Sequence, residues 1–433
     1  MTKFIIQPAK ILSGRLKVPG DKSISHRSIM LGSLAEGITE VSGFLQGEDA
    51  LATLEAFQKM GVKIKRDGDK VTIHGVGLHD LKQPSAPLNL GNSGTSMRLM
   101  LGILAAQNFD SELIGDVSLS KRPMGRVIDP LTEMGAMIES NNGKPPLKIK
   151  GAQSLTAIHY DLPVASAQVK SCVLLAGLYA QGKTCVNEPE TTRDHTERML
   201  NGFGYLVNTT DKQMCLTGGG ALTATKIQVP SDISSAAFFM VAACIAPQAD
   251  ITLMGVNINP TRTGVINILQ LMGGNLVLSN EREIGGELLA DIRIQSSDLK
   301  GISIPKELIP LAIDEFPAIF IAAACAQGET VLTEAKELRV KESDRIQVMA
   351  DGLDILGIAN EVLEDGIKIQ GGTFSKPSGV IESHHDHRIS MSFAVASLRC
   401  EYVIEINGVD NVKTSFPNFV ELANSAGMNI AEV

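Results

Sequence analysis

The sequence returns six times to one short pattern: an amphipathic segment that ends in glycine and is followed by Val- or Ile-rich residues. A glycine at such a position is typical of a left-handed helix cap, and the residues after it are typical of a strand. The glycines recur roughly every seventy residues, and this regularity indicates an internal repeat. They are Gly61, Gly135, Gly204, Gly273, Gly357 and Gly427.

A second landmark lies about forty residues before each glycine, where a break of Gly, Pro, Ser or Asp opens an apolar helix. Several of these helices are apolar on nearly every face, so we expect them to be buried. A strand, a buried helix, a strand, an amphipathic helix and two more strands fit into about seventy residues at ordinary element lengths. The pattern therefore predicts an α/β (α+β) protein of two domains, each built from three β-α-β-α-β-β repeats.

The domain boundaries follow from dividing the six repeats into two sets of three. We expect one domain to span 21–230 and the other to combine 1–20 with 231–433, so that the N-terminal strand lies with the C-terminal half. Proline marks both crossings, and the hinges are therefore predicted near 18–20 and 229–232. If the repeats are equivalent, their helix N-termini face a common cleft between the domains.

The composition excludes several classes of function. A chain of 433 residues is too long for one ordinary core, and a net charge of −9 argues against a general nucleic-acid or membrane-surface binder. No stretch approaches the roughly 18 uninterrupted apolar residues of a membrane span. The six cysteines are scattered without a CxxC pair, so we expect reduced, buried thiols. These features predict a soluble cytoplasmic protein. They do not determine its oligomeric state, for which a monomer is the default expectation.

Basic residues stand at several predicted helix entrances in the first half. Lys22, Ser23 and Arg27 lie in VPGDKSISHR, where a helix N-terminus already favours an anion. Gly94 in GNSGTSMR allows close backbone approach to a ligand, and Arg122 in SKRPMGR offers a bidentate fork for phosphate or carboxylate. Each motif alone is also compatible with an ordinary capped surface helix.

The motif ASAQVK supplies Ser166 and Gln168 at a further helix start, and RDHTE adds Arg193. Their hydroxyl, amide and guanidinium groups are suited to ring hydroxyls or a phosphate. These motifs therefore extend the predicted site toward a polar ligand.

The second half adds carboxylates to the cations. Asp314 in IDEFP precedes an apolar helix, RVKESDR carries Lys341, Glu342 and Arg345, and Arg388 lies in HHDHR. The three histidines of HHDHR match no standard zinc spacing, so we expect no metal. Cations and two candidate acids at converging helix entrances indicate a ligand with several negative charges and acid/base chemistry.

Together these motifs resemble the 5-enolpyruvylshikimate-3-phosphate (EPSP) synthase family over nearly the whole chain. VPGDKSISHR, GNSGTSMR, KRPMGR, IDEFP, RVKESDR, DHR and TSFP occur in the order of the family. SAQVK, RDHTE and NPTR are similar to its class II branch. The resemblance implies the inverse α/β-barrel-like fold of the enolpyruvyl transferases, with shikimate 3-phosphate on the side of 21–230 and the acid/base and arginine groups on the other side.

The resemblance also implies an activity: transfer of the enolpyruvyl group of phosphoenolpyruvate to the 5-hydroxyl of shikimate 3-phosphate, without a cofactor. Asp314 would accept the hydroxyl proton, and Glu342 with Lys22 would handle the proton at the enol methylene carbon. Phosphoenolpyruvate would be bound by Lys22, Gly94, Arg122, Gln168, Arg345 and Arg388. Shikimate 3-phosphate would be bound by Lys22, Ser23, Arg27, Ser166, Gln168, Arg193, Asp314 and Lys341.

Two positions depart from the family pattern. Many relatives carry lysine two residues before the phenylalanine of TSFP, where this chain has Thr414, and Lys413 stands one place earlier as a possible ligand. Class II members that tolerate the inhibitor glyphosate can carry alanine where this chain has Gly94. The class II motifs therefore argue for glyphosate tolerance and Gly94 argues against it.

Two alternatives have different signatures. A UDP-N-acetylglucosamine enolpyruvyl transferase usually carries a reactive cysteine on a mobile loop, and KRPMGR contains none. A non-enzymatic repeat scaffold would explain the repeats but not the acids and arginines at helix entrances, and its stability should not respond to substrate.

Overall fold

The computed structural model describes residues 2–284 and 286–433, which divide into two compact units. The first unit comprises Gly20–Val229 with Ile284–Glu287. The second unit comprises the chain up to Pro19, Pro230–Glu283 and Leu288–Val433. The chain therefore passes between units at 19/20 and 229/230, beside the prolines of the sequence.

Helices occupy the predicted positions after each break. The first unit contains α1 Lys22–Leu34, α2 Glu48–Lys59, α3 Gly94–Leu104, α4 Gly125–Glu133, α5 Ala167–Gly177 and α6 His195–Gly202. The second unit contains α7 Ile233–Ile245, α8 Gly264–Leu271, α9 Ile309–Ala312, α10 Phe316–Cys325, α11 Arg345–Ile355, α12 His387–Ala396 and α13 Phe419–Ala426.

Short strands separate the helices. Those of the first half are β1 Lys3–Gln7, β2 Ile11–Leu16, β3 Ala35–Ser42, β4 Lys63–Asp67, β5 Lys70–Val76, β6 Leu88–Asn89, β7 Ser111–Ile114, β8 Ile138–Asn141, β9 Lys144–Ile149, β10 His159–Asp161, β11 Lys183–Asn187 and β12 Asn208–Thr210. The remaining strands are β13 Gln213–Thr217, β14 Leu222–Thr223, β15 Lys226–Gln228, β16 Gln248–Asn257, β17 Asn275–Ile284, β18 Glu287–Gln295, β19 Glu329–Leu332, β20 Asn360–Val362, β21 Ile367–Gln370, β22 Ile381–Glu382, β23 Ile404–Asn407 and β24 Asn429–Glu432.

Within the described residues the strands form six sheets, three in each unit. The orders β6-β7-β9-β8 and β10-β11-β13-β12 each represent one β-α-β-α-β-β repeat, with a parallel first pair and an antiparallel hairpin. The orders β2-β16-β18-β17 and β22-β23-β1-β24 have the same form. The predicted fold class, an α/β protein of two three-repeat units, is confirmed.

Two sheets are completed by strands from distant parts of the chain. In the first unit, β14 and β15 pair parallel with β3 and supply the first strand of the first repeat. In the second unit, β1 lies between β23 and β24 and supplies the last strand of the last repeat. The sheet β19-β21-β20 has only isolated bridges in place of its first strand among the described residues.

The six repeat glycines all have positive φ, from 75° to 117°. This backbone conformation is one that residues with a Cβ rarely adopt, so glycine ends each amphipathic helix and turns the chain into the next strand. The predicted caps are therefore present.

Three apolar helices occupy the centre of each unit. Every residue of α7 is buried, and most of α10 and α12 is buried as well, because these helices pack against one another. In the first unit α3 packs against α1 and α5, and most residues of these two helices are buried. None of the described helices is long and apolar enough to cross a lipid bilayer.

The expectation of six reduced cysteines is wrong for one pair. Cys185 of β11 and Cys215 of β13 face each other in the antiparallel register, with Cα atoms 4.1 Å apart, and form a disulfide. Strand pairing, which the spacing of cysteines in the sequence does not report, brings them together. The free cysteines are Cys172, Cys244, Cys325 and Cys400.

Candidate active site

The N-termini of the three central helices of the first unit are capped and lie close together. Asp21 accepts from the main-chain N–H of Ile24 at 2.9 Å, and Ser93 and Ser166 cap α3 and α5 in the same way. Helices α1, α3 and α5 therefore direct the positive ends of their dipoles to one region of this unit. Asp21 is therefore the N-cap of α1, and Ser23 lies within the first turn of that helix.

Lys22 stands in the first turn of α1, where its ammonium pairs with the carboxylate of Asp49. The Lys22 side chain is 26% exposed, whereas that of Asp49 is 5% exposed. The ammonium is therefore held by a buried acid and still reaches the surface. Sequence reasoning missed Asp49, because an acid in the first turn of a helix has an ordinary explanation in the helix dipole.

Arg27 is almost completely buried, and its donors are used within the protein. Its Nε donates to the hydroxyl of Thr196 at 2.7 Å, Nη2 to Ser171 at 2.9 Å and Nη1 to the main-chain oxygen of Ser23 at 3.0 Å. Burial lowers its pKa to about 10, and the positive charge of nearby Arg193 acts in the same direction. Arg27 joins α1 to α5 and α6.

Gly94, Arg122 and Gln168, which the family resemblance predicts as ligands of phosphoenolpyruvate, lie in one group of contacts. A Cβ at Gly94 would lie 3.0 Å from Nη1 of Arg98 and 3.2 Å from Nη1 of Arg122. Arg98 donates to Oε1 of Gln168 at 2.6 Å, and Gln168 donates to the hydroxyl of Thr95 at 3.0 Å. Arg98, the last residue of the GNSGTSMR motif, is a further guanidinium in this group that the sequence did not predict as a site residue.

A buried ion cluster supports this group from inside. Lys170 of SAQVK is 1% exposed, and its Nζ lies 3.0 Å from Glu188 and 2.8 Å from Glu197. Burial raises the pKa of Glu197, and the charge of Lys170 opposes that rise. Lys170 follows Gln168 by two residues, so the cluster fixes the start of α5.

Arg345 is the centre of the charged group in the second unit. Its Nε lies 2.8 Å from Asp386, its Nη2 2.6 Å from Glu342 and its Nη1 3.4 Å from Asp314. Burial alone would lower the pKa of Arg345, but the three carboxylates raise it above its ordinary value. Burial would raise the pKa of Asp386, yet the charge of Arg345 holds it below its ordinary value. Arg345 itself is only 1% exposed, and its guanidinium therefore keeps its charge although it is buried.

Asp314 has cations on two sides. Nζ of Lys341 lies 3.5 Å from Oδ1 of Asp314, and Arg388 donates to its main-chain oxygen at 2.6 Å. Its side chain is 14% exposed and that of Glu342 is 28% exposed, so both acids can meet a ligand. The structure thus brings together all five residues that the second-half motifs supplied.

Lys413 lies apart from these contacts. Its Nζ is 2.7 Å from Oε1 of Glu432 in β24, and its side chain is half exposed. Its role as a ligand stays a prediction. The described histidines, cysteines and acids form no cluster that could hold a metal ion.

The fold and these cation-lined helix entrances define the class of enolpyruvyl transferases. The solved structure of the enolpyruvyl transferase NikO from Streptomyces tendae has the same fold, with a TM-score of 0.81 at 16% identity over 100% of this chain and 99% of that one. The sequence model of the EPSP synthase (3-phosphoshikimate 1-carboxyvinyltransferase) family matches residues 6–422 of this chain. The chain belongs to the EPSP synthase family.

Individual relatives agree over full length. The chain is 77% identical over 430 residues to a 3-phosphoshikimate 1-carboxyvinyltransferase of Ruthia magnifica, covering 99% of both chains. A solved EPSP synthase from Acinetobacter baumannii has a TM-score of 0.90 at 60% identity, covering 100% of both chains.

Proposed function

We propose that this enzyme transfers the enolpyruvyl group of phosphoenolpyruvate to the 5-hydroxyl of shikimate 3-phosphate, releasing phosphate. Family membership supports the reaction. The observation that carries the assignment of residues is the contact of Asp314 and Glu342 with Arg345 beside Lys341 and Arg388. Two acids among three cations suit a reaction that moves protons on a polyanionic substrate.

In the addition step the 5-hydroxyl oxygen bonds to C2 of phosphoenolpyruvate while the methylene carbon gains a proton. Asp314 accepts the hydroxyl proton, and Glu342 with Lys22 delivers the proton to carbon. The product of this step is a tetrahedral adduct. In the elimination step the methyl group returns a proton, the C–O bond to phosphate breaks, and the enol double bond forms again.

Fixed cations stabilise the charge that develops. Lys22, Arg122, Arg345 and Arg388, with Gly94 and Gln168, bind phosphoenolpyruvate in this proposal, and their charges stabilise the leaving phosphate. Shikimate 3-phosphate is held by Lys22, Ser23, Arg27, Ser166, Gln168, Arg193, Asp314 and Lys341. The burial of Arg27 indicates that it acts mainly through the positions of Ser23 and Ser171.

We infer a cytoplasmic monomer that acts on small molecules without nucleic acid, in keeping with the net charge of −9. Light scattering on a size-exclusion column measures the mass directly, and a dimer mass would contradict the monomer.

The decisive test measures phosphate release from phosphoenolpyruvate by the purified protein. Release is expected with shikimate 3-phosphate and not with UDP-N-acetylglucosamine, consistent with a Cys172 thiol whose pKa burial raises to about 12 and which is therefore not activated. No release with either acceptor would contradict the proposal. Titration with glyphosate in the same assay decides between tolerance and sensitivity.

A further inference from the structure

A buried charge cluster lies beside Asp314 and is not used in the proposed reaction. Arg262 of NPTR donates from Nη2 to the hydroxyl of Ser234 at 2.6 Å and lies 3.4 Å from Oε1 of Glu315. The Ser234 hydroxyl also bonds to that oxygen, and Oδ1 of Asp232 lies 3.7 Å from Arg262. Arg262 and Glu315 are 3% and 2% exposed, so neither is an ordinary surface charge.

Arg388 reaches the same carboxylate oxygen from the other side. Its Nη1 lies 3.7 Å from Oε1 of Glu315 while it donates to the main-chain oxygen of Asp314. Glu315 therefore stands between two guanidinium groups. The Arg388 side chain is 14% exposed and that of Arg262 is 3% exposed, so Arg388 is the member of the pair that a ligand can meet.

The negative charge of Glu315 helps to determine the position of the Arg388 side chain. Buried Arg262 and part-exposed Arg388 lie close to one carboxylate and repel each other once that negative charge is removed, because the protein interior around them screens charges poorly. Asp232 neutralises only the Arg262 side of the cluster. Without Glu315, Arg388 would lose the one side-chain carboxylate that the described contacts place against it.

We propose that Glu315 and Arg262 are positioning residues that hold the guanidinium of Arg388 ready to bind phosphoenolpyruvate. This inference rests on the proposed function, because it takes Arg388 as a ligand of that substrate. Arg262 orients Glu315 through Ser234, and Glu315 orients Arg388. Holding the side chain in its binding geometry lowers the entropy lost when the anion binds.

The principal variant is Glu315→Gln, which keeps size and hydrogen-bonding capacity but removes the charge. We expect the KM for phosphoenolpyruvate to rise about tenfold or more, because the variant loses the charged contact that holds Arg388. The dissociation constant of shikimate 3-phosphate, measured by calorimetry without phosphoenolpyruvate, should change less than about twofold. Arg262→Lys keeps the charge but loses the planar fork, and should raise the same KM.

The matched control is Asp291→Asn in the same unit. Asp291 is a buried carboxylate that accepts from the N–H of Gly255 at 2.8 Å and from Asn280 at 2.9 Å. The Asp291→Asn variant shows how much the loss of a buried carboxylate destabilises this unit in general. It should leave the KM for phosphoenolpyruvate unchanged. If Glu315→Gln lowers the melting temperature as Asp291→Asn does and leaves that KM unchanged, the positioning role is refuted.

Arg388→Gln separates the two proposals. If Arg388→Gln raises the KM and Glu315→Gln does not, only the positioning role fails. If Arg388→Gln has no effect, the proposed role of Arg388 as a ligand fails too.

The double variant, Glu315→Gln with Arg388→Gln, should have a KM no higher than that of Arg388→Gln alone, because both changes remove the same interaction. Additive effects would contradict the inference. If Glu315→Gln does not fold, Glu315→Asp gives the same test, with a smaller rise in KM expected.

Discussion

Three carboxylates contact the guanidinium of Arg345, and two of them, Asp314 and Glu342, keep part of their side chains exposed. The third, Asp386, is completely buried and also caps α12 by accepting from the N–H of Arg388. The buried carboxylate thus has a structural task, and the two exposed ones are available for proton transfer. This division supports the roles proposed for Asp314 and Glu342.

Replacing either exposed acid should therefore reduce turnover. We expect Asp314→Asn and Glu342→Gln to lower kcat by a factor of about 10² or more, because each loses its proton-transfer group while keeping its shape. The phosphate-release assay measures the effect, and circular dichroism checks the fold. Full activity in either purified variant would remove that residue from its role.

Two neighbouring arginines limit the size of the side chain that position 94 can accept. The Cβ of a Gly94→Ala variant would lie 3.2 Å from Nη1 of Arg122 and 3.0 Å from Nη1 of Arg98, so both guanidinium groups must shift by a few tenths of an ångström. We expect a several-fold rise in the KM for phosphoenolpyruvate with little change for shikimate 3-phosphate. An equal rise for both substrates would show that the methyl group disturbs more than the Arg122 side.

At the scale of elements, one buried histidine links three helices. His26 of α1 lies 2.8 Å from the hydroxyl of Thr53 in α2 and 3.2 Å from that of Ser96 in α3, through Nδ1 in both cases. Burial lowers the pKa of His26 well below its ordinary value, and the charges of Lys22 and Arg27 add to this effect. The folded protein therefore keeps this imidazole neutral.

This lowered pKa predicts a stability that depends on pH. Below about pH 6.5 the unfolded chain binds a proton that folded His26 does not, so the free energy of unfolding should fall as the pH falls, by up to about 1.4 kcal/mol per pH unit. Urea unfolding at pH 7.5 and 5.5 measures the difference. The slope should decrease in His26→Gln and persist in His159→Gln, which alters an exposed strand residue. Equal slopes in all three proteins would contradict the role of His26.

The disulfide between β11 and β13 predicts a thiol count. Protein prepared without reductant should show four thiols in denaturant, because Cys185 and Cys215 are bonded to each other. Closing a loop across a sequence separation of 30 residues stabilises a fold by about 3–4 kcal/mol in chain-entropy estimates, so reductant should lower the melting temperature. Six thiols before reduction would restore the expectation drawn from the sequence.

At the scale of the whole molecule, the sequence was sufficient for the repeat architecture, since glycine caps and apolar helices are local signals. It was not sufficient for the closure of the first repeat by β14 and β15, because parallel pairing between distant segments leaves no local pattern. In the site, Asp314 and Arg345 were predictable from helix breaks. Asp49 and Glu315 were missed because a charge next to a helix start has an ordinary explanation in capping.

Substrate binding should be visible in the stability of the whole protein. A ligand that binds only the folded state adds about 2.7 kcal/mol at one hundred times its dissociation constant, so saturating shikimate 3-phosphate should raise the melting temperature by several degrees. Shikimate without its phosphate is the matched control and should have a smaller effect. An unchanged melting temperature with shikimate 3-phosphate would favour the scaffold alternative.

The position of β1 between β23 and β24 also has a consequence for folding during protein synthesis. In chain order β1 comes before both of its partner strands, so neither of its edges can be paired until Ile404–Asn407 and Asn429–Glu432 have been synthesised. Until then β1 is a strand with unpaired edges, the kind of surface that chaperones shield.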